Sequence, residues 1–167
     1  MKYIIDTNCF IQPHKTFCPT DVGLSFWNKI RELATSGIIY SLDKVKDELY
    51  SNSDELKSWL TTNLDSNGFF CTFKGEPATR QLQNILTWAA SSTRYTQRAK
   101  DKFMRMDKAD IYLVAFASVN PHEWKVVSME QAAPNNHSEI KLPDACQYFG
   151  VSCIKPQDMF RELNETF

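Results

Sequence analysis

Residues Met1–Ile11 read MKYIIDTNCFI. The apolar run Tyr3-Ile4-Ile5 breaks off into Asp6-Thr7-Asn8. A short run rich in β-branched residues that stops at small polar ones reads as a strand buried in a parallel sheet. In open α/β sheets, chemistry sits just beyond the carboxyl ends of such strands. Asp6 is therefore the first candidate, as a metal ligand, a nucleophile or a loop-capping group. Other candidates are judged by whether they reach the same edge.

Working outward, Ile38-Ile39-Tyr40, Lys125–Met129 and Val151–Ile154 have the same strand character. Gly68–Phe73 reads as an extra strand or an extended crossing. Helical patterns fill the gaps. Asn8 and Cys9 open a helix or turn, and Pro13–Pro19 reads as a loop. Thr20 is expected to cap a helix burying Phe26, Trp27, Ile30, Leu33 and Ala34, with Gly37 as its stop. Ser41 is expected to cap a helix carrying Leu42, Val45 and Leu49, with Glu48 at the margin of its stripe. Periodicity alone does not single out Glu48, because Lys46 borders the other margin. Ser53 is expected to cap the next helix, through Leu56, Trp59 and Leu60. Pro77 fits the first position of a helix reaching about Ala90. Ile111–Ala117 is almost wholly apolar, so its helix is buried, with Asp107 as N-cap and Asp110 at the third position in the structural reading. A polar loop, Gln131–Leu142, leads to a short helix opened by Pro143-Asp144, and Pro156 opens the last one. Strands alternating with helices predict an α/β chain: a three-layer α/β/α fold, a mainly parallel sheet and a single domain over 1–167.

Composition narrows the field. The 167 residues are 43% hydrophobic and 13% aromatic, which suits a chain that buries a core. The net charge is −1, so any nucleic-acid binding must come from a local patch. Five cysteines with no C-x-x-C argue against a disulfide framework or a zinc knuckle. Cys9 lacks a partnered His and reads as a packed thiol. His14, His122 and His137 show no ligand spacing. Without a signal peptide or an apolar span, the expectation is a cytoplasmic protein.

The strongly basic stretch is Arg94–Lys108. On a continuous helix Arg98, Lys102 and Arg105 share a face, with Arg94 and Tyr95 beside it. A solvated helix face is the ordinary explanation. The stretch runs straight into Asp110, which makes phosphate binding an equal expectation.

Parallel topology puts Asp6 and Glu130 at one edge of the sheet. Asp110 and Asp144 start helices, and helix starts reach that edge too; Glu48 lies about a turn into its helix. Carboxylates gathered there repel unless a cation neutralises them. An all-oxygen set favours Mg²⁺ or Mn²⁺ over zinc. Such a cation orients a water, lowers its pKa and stabilises displacement at a phosphodiester.

The segments I-I-D-T-N, V-K-D-E-L, K-A-D-I-Y-L-V-A-F-A and V-V-S-M-E together resemble a PIN domain. The tail I-K-L-P-D-A-C-Q-Y-F-G-V, with F-W near the start, is similar to a DUF4411-like branch of uncharacterised bacterial and archaeal PIN-like proteins. The likeness spans essentially the whole chain. It implies a metal-dependent endoribonuclease, often the toxin of a type II toxin–antitoxin pair, leaving a 5′-phosphate and a 3′-hydroxyl. Asp6 matches the first acid, Glu48 the second and Asp110 the third. The fourth is commonly Asp; here Glu130 stands in its place, with Asp144 as a substitute or neighbour. Thr7 and Asn8 would support the site, and Arg94, Arg98, Lys102 and Arg105 would bind RNA. A cognate antitoxin and a homodimer are the partners the resemblance implies.

Two other readings compete. A haloacid dehalogenase-type phosphatase also places an Asp after its first strand, but needs a second Asp two residues later, where this chain has Asn8. A PIN-like domain with an eroded site would instead be an RNA- or protein-binding module.

Overall fold

The computed structural model describes residues 1–52 and 54–167, so the expected cap at Ser53 lies outside the described residues. At its centre is β1 (Lys2–Ile5), flanked by β2 (Ile39–Leu42) and β4 (Trp124–Val127). β3 (Phe70–Cys71) and β5 (Ser152–Ile154) form the edges, giving the order β3-β2-β1-β4-β5. Every pairing is parallel. The Gly68–Phe73 stretch thus supplies an edge strand. Strand order reverses direction at β1, and such a reversal opens a crevice at the carboxyl ends of the two strands that part there. Ile5 pairs with Val127, so the next residues, Asp6 and Ser128, stand level across that crevice.

Helices cover both faces, giving a three-layer α/β/α fold. In one layer, α1 (Asn8–Thr16), α2 (Leu24–Thr35), α4 (Asp54–Asn63) and α9 (Pro156–Glu162) meet through His14–Trp27, Phe26–Trp27, Trp27–Trp59 and Phe26–Phe160 ring contacts. In the other, α5 (Glu76–Ser91), α7 (Asp110–Val119) and α8 (Leu142–Tyr148) pack on one another. α3 (Asp43–Asn52) follows β2, and α6 (Gln97–Phe103) leads towards α7. The interior of α7 is buried nearly all round, as its composition predicts. Among the described residues no helix is long and apolar enough to cross a membrane.

Four boundaries differ from expectation. Residues 13–16 are helical, not loop: Pro13 lies inside α1, buried with Cys9 and Phe10, and that packing outweighs the single hydrogen bond its ring removes. Thr20 sits in a turn, and α2 starts after Gly23, where a Cβ would come 2.6 Å from the Cys18 Cβ. Ser41 is a strand residue whose hydroxyl donates to the Ile5 carbonyl at 2.7 Å. Asp43 instead opens α3, and its carboxylate accepts the Phe73 N–H at 3.2 Å. Finally, α6 stops at Phe103, so Arg105 does not continue the helical face of Arg98 and Lys102.

Candidate active site

A cavity of about 650 Å³ opens at the carboxyl ends of β1 and β4. Asp6, Glu48, Asp110 and Glu130 all line it. They come from the end of β1, the middle of α3, the first residue of α7 and the segment after β4.

Asp6 is 2% exposed, and its Oδ2 accepts the Ser128 hydroxyl at 2.9 Å. Burial pushes its carboxyl well above the usual carboxylate range. Asp110 adds to the rise, the Ser128 bond opposes it, and Glu130 and Glu48 add further. The same Ser128 oxygen accepts the Glu130 N–H at 3.2 Å, so one hydroxyl links two of the acids.

Glu48 is held from two sides. Thr7 Oγ1 donates to its Oε2 at 2.5 Å and the Ala109 N–H to its Oε1 at 3.0 Å, with Lys108 Nζ 4.0 Å away. It thereby joins the end of β1 and the start of α7. Asp110 sits at the first position of α7, one place after the Ala109 cap; the dipole there favours a carboxylate. Burial nonetheless raises its pKa to about 6, helped by Glu130 and Glu48 and opposed by Lys108 and Lys102. The Glu130 Oε2 accepts the Leu142 N–H at 3.0 Å, capping α8.

Asp107, expected as the N-cap of α7, lies in an exposed turn and pairs with Arg105 at 2.6 Å. Asp144 is not on the cavity wall. Both its oxygens accept the Ala133 N–H, at 3.2 and 3.0 Å, which ties down the loop before α8. Thr7 and Asn8 line the cavity as expected. The basic quartet divides. Lys102 and Arg105 reach the cavity wall, Arg98 is exposed on α6 away from it, and the Arg94 guanidinium donates to the Pro134 carbonyl and covers the Tyr95 ring at 4.8 Å.

Two participants escape the sequence reading, Ser128 and Glu139, the latter on the wall; Lys108, the end of the basic stretch, joins it there. By sequence Ser128 is an ordinary strand-end residue with no triad context. The strand register is the signal that locates it, because Asp6 and Ser128 each follow one residue of the Ile5–Val127 pair. Cys9 is a packed thiol, donating to the Val127 carbonyl at 3.4 Å, with burial raising its pKa.

The donor set is all oxygen, which suits a hard divalent cation. Among the described residues, no group of three or more His, Cys, Asp or Glu side chains is arranged to hold a metal ion as it stands. Glu48 and Glu130 are engaged with protein donors, whereas no described residue donates a hydrogen bond to the Asp110 carboxylate. Asp6 and Asp110 would be the first candidates to hold such a cation. Glu48 and Glu130, held by protein donors, would be its outer partners.

The family described as Domain of unknown function (DUF4411) matches this sequence over residues 3–167. No curated protein and no solved structure matches it.

Proposed function

The chain belongs to the DUF4411 family, and from its acidic cavity we propose a Mg²⁺- or Mn²⁺-dependent endoribonuclease of the PIN superfamily. The observation that carries this reading is the meeting of Asp6, Glu48, Asp110 and Glu130 in one cavity beside Lys102, Arg105 and Lys108. These acids are scattered over 124 positions of sequence, yet they share the edge where open α/β sheets hold their ligands. Burial and mutual repulsion make Asp6 and Asp110 costly as carboxylates, a cost that protons or a cation would relieve.

When bound, a divalent cation supplies an activated water and neutralises charge at the phosphate. The protein does the rest. Ser128 fixes the Asp6 carboxylate, and Thr7 with the Ala109 N–H fixes Glu48. Asp6 and Asp110 would hold the cation as carboxylates, releasing any proton to solvent. Lys102, Arg105 and Lys108 hold the phosphodiester by charge and screen the strand from the acids. The products would be a 5′-phosphate and a 3′-hydroxyl. We extend the reading to a cytoplasmic toxin with a protein antitoxin, working as a homodimer.

A second reading is an RNA- or protein-binding module with an eroded site. It draws on the commitment of Glu48 and Glu130 to protein donors and on the absence of a ready-made metal group among the described residues. One experiment separates the two: incubation of single-stranded RNA with the protein in Mn²⁺ and in EDTA. The nuclease reading expects cleavage only with metal, lost in Asp6→Asn and Asp110→Asn. RNA left whole by the wild type in both Mn²⁺ and Mg²⁺ favours the module.

A further inference from the structure

We infer that Lys102 and Lys141 form a phosphate subsite at the rim of the acidic cavity, held closed by Glu139 as a stand-in for a phosphate of single-stranded RNA. The inference rests on the nuclease reading and names a substrate contact within it. The Glu139 carboxylate bridges two ammonium groups: Lys102 Nζ pairs with its Oε1, and Lys141 Nζ lies 2.6 Å from its Oε2. Two oxygens shared between two lysines are the contacts that the non-bridging oxygens of a phosphate would make.

Placement links this trio to the reacting edge. Lys102 and Glu139 line the cavity. Lys141 caps α8, and the next residue, Leu142, donates its N–H to Glu130. Glu130 and Asp110 both act on Lys141, and Lys102 acts on Asp110, so both ammonium groups stand within electrostatic reach of the acids.

The loop has anchors besides the bridge. Residues 131–141 are anchored independently by the Ala133 N–H on Asp144, the Thr96 N–H on the His137 carbonyl and Arg94 on the Pro134 carbonyl. Glu139 also adds negative charge to a wall where acidic side chains already outnumber basic ones. A carboxylate that repels phosphate by its charge, in a loop with other anchors, fits a gate better than a strut. The Lys102 side chain is 66% exposed, so its arm of the bridge is the one that opens first to a phosphate, while the Lys141 arm, at 26% and 30% exposed, is more covered.

The test is Glu139→Gln, which keeps the side-chain size and removes the charge. It is made in an Asp110→Asn background so that the strand survives. Binding of a fluorescein-labelled single-stranded RNA of mixed sequence is followed by anisotropy in Mg²⁺. Binding should tighten roughly three- to fivefold at low salt, fade as salt rises, and lose the gain when Lys102→Ala is added. Unchanged or weaker binding overturns the inference, as does a gain that survives Lys102→Ala. A fall in melting temperature together with weaker binding assigns Glu139 a structural role and also overturns it. If the wild type cleaves RNA with Mn²⁺ while Glu139→Gln binds no tighter, the subsite falls and the nuclease stands. If no variant binds or cuts RNA, both fall.

Discussion

Ser128 donates to Asp6 at 2.9 Å and accepts from the Glu130 N–H at 3.2 Å, so one hydroxyl sets two carboxylates. Ser128→Ala should weaken Mn²⁺ binding about tenfold, as loss of an outer-shell partner does, while the far-ultraviolet spectrum is unchanged; titration calorimetry reads both affinity and stoichiometry. Asp110 gives a pH signature. Its folded pKa of about 6 lies above the 3.8 of an ordinary aspartate, so the folded state holds the proton more tightly than the unfolded chain. The group is therefore a liability above pH 6 and ceases to be one below about pH 4. In EDTA, Asp110→Asn should be more stable than the wild type at pH 7, by on the order of 2 kcal/mol. The gap should close as pH falls through 6 towards 4. Paired urea titrations check this, and a gap that widens on acidification contradicts the assigned cause.

At the scale of elements, the end of α2 offers a clean test. The Gly37 N–H returns to the Ala34 carbonyl and the Ile38 N–H to the Leu33 carbonyl, with Gly37 at φ +68°. Gly37→Ala must hold that left-handed turn, and its Cβ would approach the Tyr40 hydroxyl to 2.9 Å. A loss of about 1 kcal/mol is expected, read from the urea midpoint. Gly37 was legible as a helix stop, as were the strands at 3–5 and 125–127, because glycine and apolar runs report local geometry directly. Asp6 was legible as the residue that ends a buried strand. Glu48 was not, since periodicity left it level with Lys46; only the motif set singled it out, and the Thr7 and Ala109 donors explain its orientation. Other features depend on distant partners that no local pattern encodes. Pro13 stays helical because the core needs it, and Ser41 bonds to Ile5 rather than to its own helix. Asp144 looked like a ligand from its place at a helix start, but the Ala133 N–H claims both its oxygens.

For the whole molecule, metal and fold should be linked. A cation that enters the cavity relieves repulsion in the folded state alone, so Mn²⁺ should raise the melting temperature in proportion to the logarithm of its concentration once the site fills. The rise should be larger at pH 7.5 than at pH 5, where protons compete for Asp6 and Asp110. Scanning calorimetry checks this, and a shift independent of pH would place the cation elsewhere. The strand order has a consequence for synthesis. The Ser128–Asp6 bond spans 122 positions, and β1 meets β4 only after more than two thirds of the chain exists. A polypeptide still emerging from its ribosome therefore has Asp6 without its neighbours. On the nuclease reading proposed above, RNA is therefore spared until β4 and Ser128 have left the ribosome.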